Sequence, residues 1–292
     1  MLNFEEFIER AKEEVRCSIP EKLKGAEVVI GEIKKIGSRY TSIGVKGNEQ
    51  YASYPVANLS KMYENYLGGV SIETLFEDMK YIVFMPVKST DVAKCMSSYA
   101  FMKERLFVRL SNAVFNEQLL NEVPHKKIHD LAMTYHVCIS SNPNSLMSTI
   151  VNYRMLETMG IEEDKLHEDA LRNSRHILMP VVKPISEMIG LPSDSSMQVV
   201  TDTINVNGAA AIMYPEVREK LTRQFGGDFF IIPSSIHEVL ALPYDPERTE
   251  EFNSIVKMIN ENQVMPKDRL SDHVYIYDSR NDRIRNPEAF LN

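Results

Sequence analysis

Groups able to do chemistry crowd into one stretch, DFFIIPSSIHEVLALP: the hydroxyls of Ser234 and Ser235, the imidazole of His237 and the carboxylate of Glu238. A hydroxyl, a base and an acid are the parts of a nucleophile–base–orienter set. The imidazole takes the hydroxyl proton and the carboxylate fixes the ring. Ser235, His237 and Glu238 are therefore the candidate catalytic residues of a hydrolase or transferase of unrecognised type. The flanking apolar runs read as two strands joined by a tight connection. Neighbouring residues on a strand point to opposite faces, so His237 and Glu238 diverge unless the turn bends them together. The competing reading is structural, with the serines satisfying turn backbone and Glu238 pairing locally.

Other spacings carry less chemistry. His125 and His129 form an HxxxH pair that a helix would place on one face. A zincin needs Glu directly after the first histidine, and here that position is Lys126. His136 and Cys138, two apart on a strand, would make half of a zinc site with no second half in view. Glu32-Ile33-Lys34 matches the ExK part of a nuclease metal site, but no Asp precedes Asp78, so that reading is an outlier. Ser254 and Lys257 have SxxK spacing without its companion motifs. GxxxxGK[ST], GxGxxG and GxSxG are all missing from the sequence. No metal and no cofactor is expected.

The composition narrows the class. The 292 residues are 43% hydrophobic and 25% charged, the balance of a chain that buries a core. A formal net charge of −8 disfavours nucleic-acid binding, which depends on Lys and Arg neutralising phosphates, and disfavours anionic membrane surfaces. Three dispersed cysteines, Cys17, Cys95 and Cys138, do not make a disulfide framework. The N-terminal MLNFEEFIERAKEEVR lacks a signal-peptide pattern, and no run reaches the roughly 18 apolar residues of a membrane span. A cytoplasmic location is expected.

The elements that must position these groups follow from periodicity. Phe4, Phe7, Ile8, Ala11 and Val15 predict an opening helix, with Asn3 and Glu6 in capping-box register. Residues 26–46 read as a hairpin, Asn58 as the cap of a short helix stopped by Gly68-Gly69, and Ser71 as the start of another helix. Further on, 91–103 reads as helical and 130–140 as a half-buried strand. Two stretches, 107–159 and 198–261, read strand–helix–strand–strand–helix. The fold class is α+β, with antiparallel hairpins packed against helices and two βαββα units. Residues 1–105 form an N-terminal segment and 106–292 a C-terminal region, with a Pro-rich linker near 180–196.

Four segments carry a family resemblance: PVANLSKMYENYLGG (55–69), NGAAAIMYP (207–215), PSSIHEVL (233–240) and LSDHVYIYD (270–278). They span most of the chain, which resembles a bacterial family of intracellular proteins built on a domain of unknown function. The resemblance implies no activity and no site residue. With no complete motif, the favoured function is a non-enzymatic intracellular binding or protein-interaction role. The partner is an unidentified protein or small molecule, and neither nucleic acid nor membrane. The enzyme centred on residues 234–238 is the alternative.

Overall fold

A computed structural model describes residues 1–47, 54–85, 98–142, 145–189 and 196–287. The chain divides into two compact units, residues 1–96 and 97–292.

In the first unit, α1 (Phe4–Cys17) begins as its sequence dictates. Asn3 Oδ1 accepts the Glu6 N–H at 2.9 Å, and the Glu6 carboxylate accepts the Asn3 N–H at 2.8 Å. Strands β1 (Glu27–Lys35) and β2 (Ser38–Lys46) form the expected hairpin, and β3 (Val56–Asn58) adds antiparallel to β2. Helices α2 (Leu59–Leu67) and α3 (Ile72–Val83) are capped by Asn58 and Ser71. Phe7, Ala11 and Val15, four apart on α1, pack with Ile43, Phe76 and Met79 into one core.

The second unit opens with α4 (Tyr99–Lys103), which begins after an extended Ser98 and takes up only the end of the stretch 91–103 expected to be helical. Residues 86–97, and with them Cys95, lie outside the described residues. Next come β4 (Leu106–Asn112), α5 (Glu117–Leu120), β5 (His125–Ile128), β6 (Leu131–Asn142) and β7 (Ser145–Ile150). β6 is the centre of this four-stranded sheet. β4 pairs along one side, while β5 and then β7 pair along the other. Two helices follow, α6 (Tyr153–Met159) and α7 (Glu163–Ile177).

A six-stranded antiparallel sheet takes the remaining strands: β8 (Pro180–Pro184), β9 (Gln198–Asp202), β10 (Phe229–Ser235), β11 (Glu238–Pro243), β12 (Tyr275–Asp278) and β13 (Arg283–Arg285). Their order is β13-β12-β10-β11-β9-β8. Between these strands lie α8 (Ile185–Ile189), α9 (Pro215–Phe225) and α10 (Thr249–Asn262). Alternation on β10 serves two layers. Phe230 and Ile232 pack with Phe252 and Val256 of α10. Ile231 and Pro233 face Leu110 and Leu131 of the other sheet, across a residual void of only about 10 Å³. Among the described residues no helix is long and apolar enough to cross a membrane.

Three expectations change. β6 is not half-buried: every residue from Leu131 to Val137 is buried, because both of its faces are covered. The Pro-rich linker near 180–196 instead holds edge strand β8 and helix α8, with 190–195 outside the described residues. Proline suits an edge, where its missing N–H leaves no ladder bond unmade. The two βαββα stretches are not one repeated unit. The first has an extra strand, β5, and its middle strand is β6, whereas in the second β11 lies between β9 and β10.

On the free edge of β4 a side chain meets the Val108 N–H. Ser174 of α7 accepts the Val108 N–H at 2.9 Å and donates to Ala170 O at 2.6 Å, and Ser174 is fully buried. Ser174→Ala strands that donor and should destabilise the second unit by about 1–3 kcal/mol in chemical denaturation. A loss below about 0.5 kcal/mol would show that the edge is held by apolar packing instead.

Candidate functional site

The tip at 234–238 forms as a β10–β11 connection with a register shift between Pro233 and Ser235. Its groups bond to one another and to backbone. Ser234 Oγ donates to Glu238 Oε1 at 3.2 Å. Ser235 Oγ accepts the His237 backbone N–H at 3.1 Å. His237 Nδ1 accepts the Asn207 N–H at 3.2 Å, which leaves the ring proton on Nε2, 3.7 Å from Asp268 Oδ1.

The loop that delivers Asn207 is built by Asp202, whose Oδ1 accepts the Ile204 and Val206 N–H groups. Gly208 then passes so close that a Cβ would collide with the Asp202 backbone nitrogen and lie 2.7 Å from His237 O. The structure thus brings Ser235, His237 and Glu238 together without aligning them. The imidazole bonds no serine hydroxyl, and Glu238 does not orient the ring.

The other sequence candidates stand apart. His125 and His129 are not on a helix. His125 starts β5 and bonds Val123 O, while His129 lies in the β5–β6 turn. His136 is buried in β6 against Thr134 Oγ1 at 3.0 Å, and burial pushes its pKa well down. Burial pushes the Cys138 thiol up. Glu32 and Lys34 sit on β1 opposite Thr41 and Arg39. Ser254 Oγ bonds Glu250 O on the exposed side of α10, where Lys257 is also exposed.

A second cluster is better organised. Ile128 pairs with Leu131, so the β5–β6 hairpin turns on two residues, His129 and Asp130. His129 has φ +58°, a conformation that such turns normally give to Gly. Its Nε2 lies 3.0 Å from Ile284 O, and its ring stacks on Tyr275 at 6.0 Å.

Asp130 then meets three side chains from the bend that leads into β12: the Tyr275 hydroxyl donates to Oδ1 at 2.6 Å, His273 Nε2 lies 3.0 Å from the same oxygen, and the Ser271 hydroxyl donates to Oδ2 at 2.9 Å. Burial alone would raise the Asp130 carboxyl. The bonds from His273, Tyr275 and Ser271 outweigh it and hold the group at about 2. Burial and the adjacent carboxylate push the Tyr275 hydroxyl strongly up. His273 Nδ1 faces Val274 O at 3.0 Å, and a carbonyl only accepts. His273 Nε2 lies between the Asp130 carboxylate at 3.0 Å and Asn286 Nδ2 at 3.2 Å.

Around this pair opens a cleft of about 450 Å³, lined by Ala113, Val114, Glu117, Lys127, His129, Asp130 and Asn286. Asn112 shapes its rim by accepting the Val114 and Phe115 N–H groups, and those two apolar side chains are 69% and 58% exposed. The sequence placed His273 and Tyr275 on a strand over HVYIYD, whereas the chain bends at Asp272 and His273 and β12 starts only at Tyr275. Nothing in the sequence pointed from them to Asp130, more than 140 positions away.

The model of a family described as "Family of unknown function (DUF5688)" matches residues 4–279, and the chain belongs to that family. No curated protein matches the chain, and no solved structure does.

Asp130 makes the site acid-labile. Its folded pKa lies below the ordinary carboxylate value, so its contribution is present above about pH 4 and is lost as pH falls toward 2. Acid unfolding of wild type should show about 1–2 kcal/mol of stability lost in that window, and Asp130→Asn should flatten it. An unchanged acid limb in the variant would remove Asp130 as its source.

Proposed function

We propose that this member of the family is a non-enzymatic bacterial cytoplasmic binding protein whose ligand enters the cleft beside Asp130. The observation that carries the reading is His129, held at φ +58° on the cleft wall next to a carboxylate fixed by three donors. A non-Gly residue in that conformation costs on the order of 1 kcal/mol, and such strain persists where a side chain is needed in one place. The cleft volume is that of small-molecule sites, and Ala113 and Val114 supply an apolar wall beside the polar groups. The net charge of −8 supports a partner other than nucleic acid. The bacterial and cytoplasmic assignments both rest on the resemblance to a bacterial family of intracellular proteins.

The hydrolase or transferase reading through Ser235, His237 and Glu238 has weaker support, because those hydroxyls and that carboxylate are spent on one another and on backbone.

Two measurements test the reading. In a screen of chemically diverse fragments followed by amide chemical shifts, hits should perturb residues 113–130, and Val114→Arg should abolish the response. Hits that instead perturb 201–208 and 234–238 would move the site to the alternative. His129→Gly should stay within about 1 kcal/mol of wild-type stability, since relieved strain offsets the lost ring contacts, while fragment binding weakens. A large destabilisation with binding intact would make the His129 geometry structural.

A further inference from the structure

We propose that the ligand of this cleft is a small zwitterion of the amino-acid or dipeptide type, with its carboxylate on Lys127 and its ammonium between Glu117 and the open side of Asp130. The inference rests on the binding reading above and names its ligand.

Three charged side chains line the cleft: Lys127, Glu117 and Asp130. Asp130 already has Tyr275, His273 and Ser271 on its carboxylate, at 2.6, 3.0 and 2.9 Å. Lys127 and Glu117 are left as one cation and one anion, and among the described residues neither has an ion-pair partner. A ligand carrying a single charge would match one of them and leave the other unmatched beside it. A neutral ligand would match neither. A molecule with one carboxylate and one ammonium meets both demands. Asp130 Oδ2 takes only the Ser271 hydroxyl among the described residues, so it retains room for a further N–H donor.

Ala113 and Val114 form the remaining apolar lining and would receive an aliphatic side chain. A volume of about 450 Å³ accommodates more than one residue, which favours a dipeptide over a single amino acid. The proposal needs no conformational change: Lys127, Glu117 and Val114 are all exposed.

The test uses the full chain, isothermal titration calorimetry and four probes: Leu-Leu, Gly-Gly, N-acetyl-Leu-Leu and Leu-Leu amide. Leu-Leu should bind, Gly-Gly should bind more weakly, and each blocked form should lose about tenfold, the scale of one charge-assisted hydrogen bond. Lys127→Met should bind Leu-Leu no more tightly than its amide. Glu117→Gln should narrow the gap between Leu-Leu and its acetylated form, with the remainder carried by Asp130. Both positions are exposed, so both variants should fold as wild type does. A blocked form that binds as tightly as Leu-Leu, or discrimination that survives both substitutions, overturns the proposal. If no probe binds while diverse fragments still perturb residues 113–130, the zwitterion fails and the cleft reading stands. If the cleft is silent to both, both fail.

Discussion

The second unit depends on one carboxylate. Asp130 sits in the hairpin turn of the four-stranded sheet, and its donors come from the segment that enters β12 of the six-stranded sheet. An ionised carboxylate taken out of water is costly unless its lone pairs are met, so its position is defined by those donors. The bond from the Tyr275 hydroxyl at 2.6 Å, the pairing with His273 and the Ser271 hydroxyl therefore cross-tie two sheets whose apolar faces would otherwise set only distance. Neighbouring polar bonds extend the tie. Asn112 donates to Leu270 O at 3.2 Å, and Asp130 O accepts the Ala113 N–H at 2.7 Å. Apolar packing supplies the adhesion, and the buried polar network supplies the register.

Strand edges are handled by the same logic. A bare strand edge is a row of unmet donors and acceptors. β4 meets that demand at Val108 with the Ser174 hydroxyl, and β8 limits it with a proline at each end. The cost of burying β6 on both faces is met within the sheet, where Thr134 Oγ1 and His136 Nε2 satisfy each other at 3.0 Å. Arg109 keeps a contact with Ser148 Oγ at 2.9 Å, and burial lowers its pKa to about 10.

The two polar clusters differ in what their groups are free to do. At 234–238 the residues are neighbours in sequence, so short side chains find local backbone and one another first. That competition spends Ser234, Ser235 and Glu238 on holding the connection, and it uses His237 Nδ1 to fix the loop that carries Asn207 and Gly208. At Asp130 the partners arrive from distant segments. Their bonds fix a carboxylate on an open cleft, with Lys127 and Glu117 left facing solvent. Residue types that look alike in a sequence thus end in different roles, according to whether their nearest partners are local or distant.

What the sequence determined by itself was local. The capping box at Asn3 and Glu6, the hairpin over 26–46, the caps at Asn58 and Ser71 and the α+β class all follow from contacts within a few residues, and all are present. Strands β5 and β13 were not legible. HKKI and RIR are short and charged, and they are extended only because β6 and β12 offer them a ladder. The double burial of β6 was invisible as well, since alternation at Met133, Tyr135 and Val137 reports polarity and not what covers the polar side. The site was decided by tertiary structure alone. The strand over HVYIYD could be read, but the bend that gathers Ser271, His273 and Tyr275 and the carboxylate they meet are set by packing between sheets, a non-local contact that no spacing along the chain encodes.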